Sequence, residues 1–140
     1  MMLLLFLLQE LQIQEILILQ LLERVVLVLL LLMDGIYYQI TKEGIGNHPT
    51  MKNTIITNYH GTFLDGKVFD STTGKKTFTY PLSRMNDGWK RGLPLMKSGG
   101  KAIFIIPSRL CYGEEGFGDL IPPNAVLKFE VELVGIKETK

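Results

Sequence analysis

With 140 residues, 15 basic against 14 acidic side chains and a formal net charge of +1, the chain is one domain by size, with room for an appendage. Its lysines are scattered and form no basic stripe, which argues against a nucleic-acid partner. Cys111 is the only cysteine, so no internal disulfide can form. His48 and His60 have no cysteine or paired acid at ligand spacing, and no metal site or cofactor is expected.

Residues 1–33 differ from all that follows. Met1 to Leu8 is almost entirely Leu and Phe, a polar stretch from Gln9 to Glu15 follows, and Val25 to Leu32 is wholly aliphatic. The absence of Gly and Pro predicts a helix. The longest uninterrupted apolar run, Val25 to Met33, is about half a membrane thickness. Extending it back to Ile16 takes in Gln20, Glu23 and Arg24, and a charge near a helix centre costs about 2.5–3.5 kcal/mol. A secretory signal is a poor match, because no Lys or Arg precedes the apolar start and no small-residue cleavage site follows it. The polar positions do not gather on one helix face either. Three readings of residues 1–33 stay open: a membrane-associated anchor, a helix that buries its surface against another copy as a homodimer, and a stretch with no selected role.

From Asp34 the pattern changes. Gly, Pro, Asn and Asp now punctuate short runs of β-formers. Strands are predicted over Ile36–Thr41 and Thr54–Phe63. Leu64-Asp65-Gly66-Lys67 supplies the Asp-Gly turn of a hairpin that returns through Val68–Asp70. A strand over Thr77–Tyr80 follows the polar loop from Ser71 to Lys76. Asn86 or Asp87 can cap a helix whose apolar face is Trp89, Leu93 and Met96, and which Pro94 ends. Lys101–Pro107 is apolar at consecutive positions, as for a strand covered on both faces. Val126–Ile136 alternates cleanly, with Leu127, Phe129, Val131 and Leu133 on one face and Lys128, Glu130 and Glu132 on the other.

One short helix with five or six strands predicts an α+β fold: a curved antiparallel sheet wrapped around the helix, plus the N-terminal hydrophobic helix. The predicted division is 1–33 and 34–140. The aromatics from Tyr59 to Phe129 fit no single helix or strand face. They suit the walls of one apolar pocket beside Asp70, with few titratable groups. An acid directly after Val68-Phe69 in a strand is expected to be buried.

Several stretches lie in order between Tyr59 and Leu133: Tyr59-His60-Gly61, Asp65-Gly66-Lys67-Val68-Phe69-Asp70-Ser71, Gly88-Trp89, Tyr112-Gly113, Ile121-Pro122-Pro123-Asn124-Ala125 and Leu127-Lys128-Phe129-Glu130-Val131-Glu132-Leu133. No one of them is decisive. Together they make residues 34–140 resemble the FKBP-type peptidyl-prolyl cis-trans isomerases, closest in style to the bacterial macrophage-infectivity-potentiator-like group.

The resemblance implies Trp89 at the floor of a substrate pocket, Tyr59, Phe69, Phe78 and Phe129 as its walls, and Phe117 and Ile121 at its rim. It implies that the Tyr112 hydroxyl and the backbone N–H of Asn86 donate to substrate carbonyls. Asp70 then either fixes the adjacent loop or acts directly in catalysis. Met85 and Asn86 depart from the valine and branched aliphatic usual at these places, and Cys111 from a small alanine-like residue. The implied activity is rotation about X-Pro bonds in peptides and unfolded protein clients, with no cofactor. Macrolide immunosuppressants are candidate ligands by the same resemblance. A non-catalytic peptide-binding or chaperone module of the same fold is the alternative. The implied location is the bacterial cell envelope, periplasmic or membrane-associated, rather than the cytoplasm.

Overall fold

The structure, a computed structural model, describes residues 1–32 and 35–139, so the predicted boundary at Met33 and Asp34 lies outside the described residues. Two compact units divide the chain, one ending at Asp34 and the other beginning at Gly35. The first contains a single helix, α1 (Met2–Leu32). The side chains of residues 2–25 are exposed on every side of it, so the Leu-rich sequence is unmatched by packing within this unit. Met2–Val25 is long and apolar enough to cross a membrane by length and composition.

The second unit carries six strands: β1 (Tyr37–Lys42), β2 (Asn53–Phe63), β3 (Val68–Ser71), β4 (Phe78–Pro81), β5 (Lys101–Ile106) and β6 (Leu127–Glu138). They form one antiparallel sheet in the order β1-β5-β6-β2-β3, with β4 also paired to β2. Among its described residues the single α-helix is α2 (Asp87–Gly92). The expected α+β architecture is therefore present, with six strands. The core comprises Ile55, Leu82, Trp89, Leu93, Met96, Phe104, Ile106, Leu127, Phe129, Val131 and Leu133, among others.

β2 organises the sheet because it is the longest strand after β6 and is paired on both edges. Along one edge it runs beside β6 from Asn53↔Glu138 to Phe63↔Leu127, with a bulge opposite Ile56 and Thr57. The other edge is shared. Thr54–Thr57 pair with β4, and His60–Thr62 pair with β3. Between these two pairings Tyr59, whose strand partner on the β6 edge is Val131, has none on this edge, and Thr72 supplies one. The Tyr59 N–H donates to Thr72 Oγ1 (2.9 Å) and the Thr72 N–H donates to the Tyr59 carbonyl (2.9 Å).

Burial follows the alternation predicted for β6, with Leu127, Phe129, Val131 and Leu133 all buried. The expectation that β5 is covered on both faces needs correction. Ala102, Phe104 and Ile106 are buried, whereas Ile103 and Ile105 on the other face are only half-buried. A run of consecutive apolar residues reads the same in sequence whether its second face is sealed or partly wet.

α2 begins where Asn86, in extended conformation, accepts the Trp89 N–H on its side-chain oxygen at 3.0 Å, satisfying one of the free donors of the first turn. Pro94 then sits in a single 3-10 turn, Leu93–Leu95, so the helix tightens and stops where its sequence predicts. The helix lies close against β5 through two glycines. A Cβ on Gly88 would meet Ile106 Cγ2 at 2.5 Å, and one on Gly92 would meet Phe104 Cε1 at 2.9 Å. Four residues of helix rise about 6 Å and two of strand about 6.6 Å, so the glycine pair and the Phe104–Ile106 pair match in spacing.

Alanine at Gly88 or Gly92 would raise helix propensity by up to about 1 kcal/mol but overpack the contact, at a typical cost of about 1–3 kcal/mol. Both variants are expected to lower the denaturation midpoint in urea. A midpoint at or above that of the parent protein would show that the helix has room to lift.

Candidate active site

Trp89 is the centre of an aromatic cluster. Its ring meets that of Phe129 edge-on at 5.4 Å between centroids and that of Tyr59 at 5.5 Å. Tyr59 in turn meets Phe129 (6.3 Å) and Phe78 (5.7 Å), and Phe69 meets Phe129 (5.5 Å). Edge-to-face pairs of this kind are each worth about 0.5–1.5 kcal/mol beyond burial. They also hold the rings apart, so that the cluster encloses space. The result is a cavity of about 380 Å³ lined by Tyr59, Phe69, Asp70, Phe78, Arg84, Met85, Asn86, Trp89, Tyr112 and Phe129.

Each wall comes from a different element. β2 supplies Tyr59, β3 supplies Phe69 and Asp70, β4 supplies Phe78, and β6 supplies Phe129. α2 brings Trp89 to the base, where it is 2 % exposed. Phe69 reaches the cavity across a glycine: a Cβ at Gly61, which pairs with Asp70 across the strands, would lie 2.7 Å from the Phe69 ring.

Nine of the eleven residues expected at the site line this cavity. Phe117 and Ile121 do not. Ile121 is buried, and its backbone bridges to Phe117, with Phe117 N–H donating to the Ile121 carbonyl at 2.8 Å and Ile121 N–H returning to Phe117 at 3.1 Å. This closes the loop on itself. Phe117 remains exposed and packs its ring against Tyr112 at 5.5 Å, so its contact with the cavity runs through that tyrosine. The sequence also missed Arg84, which lies in the turn just before Met85 and Asn86. The one available signal was its position two residues before a capping asparagine.

Asp70 corrects a second expectation, for it is exposed rather than buried. β3 is a four-residue strand at the sheet edge, and a short edge strand leaves alternate side chains in solvent. The carboxylate is nevertheless held at both oxygens. Oδ2 accepts the Tyr59 hydroxyl at 2.5 Å and Oδ1 accepts the Ser71 N–H at 2.9 Å.

The two phenols of the cavity therefore differ. The Tyr59 hydroxyl is committed to Asp70, whereas the Tyr112 hydroxyl makes no hydrogen bond to any of the described residues. The Asn86 backbone N–H is likewise without a partner among the described residues, while its carbonyl accepts from Lys90. The cavity thus offers two unspent donors between apolar walls. Burial pushes the Tyr59 phenol well above its ordinary pKa, with the Asp70 hydrogen bond and charge adding to the shift. Burial also raises Tyr112, with Cys111 and Asp70 contributing, and lifts the Cys111 thiol to about 12. All three groups stay protonated and neutral at physiological pH. Among the described residues no group of three or more His, Cys, Asp or Glu side chains is placed to hold a metal ion.

The profile of a family described as FKBP-type peptidyl-prolyl cis-trans isomerase matches residues 46–134. The chain is 48% identical over 104 residues to a probable FKBP-type peptidyl-prolyl cis-trans isomerase FkpA of Neisseria meningitidis, a match covering 74% of this chain and 38% of that protein. It is 35% identical over 111 residues to the outer membrane protein MIP of Legionella longbeachae, covering 79% of this chain and 48% of the relative. The crystal structure of FkpA from Escherichia coli superimposes with a TM-score of 0.74 at 39% identity, covering 76% of this chain and 50% of that one. The chain thus spans less than half the length of these two curated relatives.

A phenol whose pKa is raised on folding stabilises the native state fully below the unfolded-state value, near 10.0. That stability is lost as pH rises from there through the folded-state value, because only the unfolded chain can then release the proton. Native stability is accordingly expected to fall above about pH 10. Tyr59→Phe, which has no proton to lose, should flatten that decline, as measured by urea midpoints from neutral pH to about pH 11. An equally steep decline in the variant would exclude Tyr59 as its source.

Proposed function

Because the chain belongs to the FKBP-type peptidyl-prolyl cis-trans isomerase family, we propose that residues 35–139 accelerate rotation about X-Pro bonds in proline-containing peptides and unfolded protein clients, using the aromatic cavity to desolvate the bond. The observation that carries this reading is a cavity walled by aromatic rings whose lining includes two residues with unspent hydrogen-bond donors, the Tyr112 hydroxyl and the Asn86 N–H.

Rotation about the peptide bond is opposed by the double-bond character of C–N, a barrier of about 18–20 kcal/mol. The planar ground state places extra electron density on the carbonyl oxygen, which water solvates well. The twisted transition state has lost that resonance and is less polar at the oxygen. Walls formed by Trp89, Phe129, Phe69 and Phe78 withhold water from both states, and the planar one loses more. This is preferential stabilisation of the transition state. It needs no nucleophile and no titrating group, which agrees with phenols kept neutral by burial.

In this reading Tyr112 and the Asn86 N–H hold the chain on either side of the rotating bond. Asp70 is a positioning residue. Its carboxylate anchors Tyr59, and Tyr59 contacts the rings of Trp89, Phe129 and Phe78. Met85 forms the softer part of the wall.

We also place the protein at the bacterial cell envelope, with α1 as its membrane-associated segment. Support comes from a helix whose apolar residues between Met2 and Val25 are exposed on all sides and from a relative named as an outer membrane protein. The chain of residues 1–140 is then expected in the membrane fraction of lysed cells and residues 35–140 in the soluble fraction. Recovery of both in the soluble pool would remove this role for α1.

The catalytic reading is tested by a prolyl-peptide isomerisation assay. Trp89→Leu and Phe129→Ala are expected to weaken peptide binding. Tyr112→Phe should lower kcat/KM about two- to tenfold, the scale of one neutral hydrogen bond of about 0.5–1.5 kcal/mol. Asp70→Ala should reduce turnover about tenfold, roughly 1.4 kcal/mol, with only a small fall in the unfolding midpoint. Isomerisation no faster than buffer, with peptide still bound, would leave a binding module in place of an enzyme.

A further inference from the structure

Arg84 is the only arginine among the residues lining the cavity, and the mechanism above makes no use of it. Its backbone lies in the turn Leu82–Arg84, and the chain then runs extended through Met85 and Asn86, ending at the unspent Asn86 N–H. Arg84 is two residues from that N–H along an extended backbone, about 7 Å, which brings the N–H within reach of a side chain as long as arginine's.

The charges around Arg84 are unequal in their commitments. Asp87, the nearest acid in sequence, is paired with Lys90 at 3.0 Å. Both oxygens of Asp70, on β3, already accept hydrogen bonds from Tyr59 and Ser71. Arg84 itself is exposed, and no carboxylate among the described residues lies within ion-pair distance of it. The guanidinium is therefore a planar, permanently charged fork of donors, suited to a carboxylate, standing beside a cavity whose other polar groups are neutral or engaged.

We propose that Arg84 gives the site a preference for prolyl peptides that carry a carboxylate side chain within two residues of the proline, on the side that lies along Met85 and Asn86. The selection is positional. This inference rests on the isomerase reading for the identity of the ligand, and it adds the substrate class.

The test uses blocked proline peptides with Glu, Gln or Lys placed in turn at each of the two positions before and after the proline. Binding is read from the fluorescence of Trp89, the single tryptophan of the chain, and turnover from isomerisation. At one or more positions on one side of the proline, the Glu peptide should bind about two- to fivefold more tightly than its Gln counterpart at low salt, the range of an exposed ion pair. The ratio should shrink toward one in about 1 M NaCl, where the screening length is about 3 Å. Arg84→Gln should abolish the ratio, and Arg84→Glu should reverse it in favour of Lys. Equal binding of Glu and Gln peptides at every position, or a ratio that persists in Arg84→Gln, would overturn the proposal. Because fluorescence reads binding without turnover, a charge preference measured in a protein that fails to isomerise would count against the enzyme reading and leave the selectivity of Arg84 standing.

Discussion

The close seat of α2 on β5 is the constraint from which the site follows. Gly88 and Gly92 remove the side chains that would hold the helix away, and the rings and methyls of Phe104 and Ile106 fill that space instead. Trp89, the residue after the first glycine, is thereby lowered to ring contact with Phe129 on β6 and Tyr59 on β2. Lifting the helix by the thickness of one methyl group would open the floor of the cavity to the core, and the edge-to-face geometry would be lost with it. The Asn86 cap ties the start of the helix to the same point, so that the free N–H of residue 86 is positioned by the bond that begins the helix.

The site is organised by what is already satisfied. Tyr59 and Asp70 neutralise each other's hydrogen-bonding capacity, which turns a polar pair into part of a wall. Tyr112 and the Asn86 amide keep theirs. This division leaves aromatic walls beside two residues whose donors are unengaged, in a chain that belongs to the FKBP-type peptidyl-prolyl cis-trans isomerase family. Burial keeps the two phenols of the cavity protonated and neutral at physiological pH.

Much of this was legible in the sequence. The alternation in β6, the Asp65-Gly66 turn, the helix bracketed by Asn86 and Pro94, and the aromatic set around Trp89 each carry a local physical signature, and each is found in the structure. Features set by pairing between distant segments were not legible. Asp70 is exposed because β3 pairs only over His60 to Thr62 and forms an edge, a fact of topology that no window around Val68-Phe69 contains. The half-covered outer face of β5 and the inward placement of Ile121 have the same origin. Arg84 escaped because an arginine in a turn reads as solvated surface until the cavity beside it is known. The Leu-rich composition of α1 showed a helix and said nothing of what its surface meets.

The way β2 shares one edge between β3 and β4 carries a consequence for how such a domain can diversify. Thr72 clips the backbone of Tyr59 from both sides immediately after β3, so the aromatic wall is secured before the connection to β4 begins. The residues that follow, Thr73 to Lys76, are exposed, and Gly74 turns there with a left-handed backbone (φ +75°) into open space. Lengthening, shortening or recolouring that connection leaves the clip in place. It is the part of the domain where evolution or an engineer can graft a new recognition element without disturbing the aromatic wall.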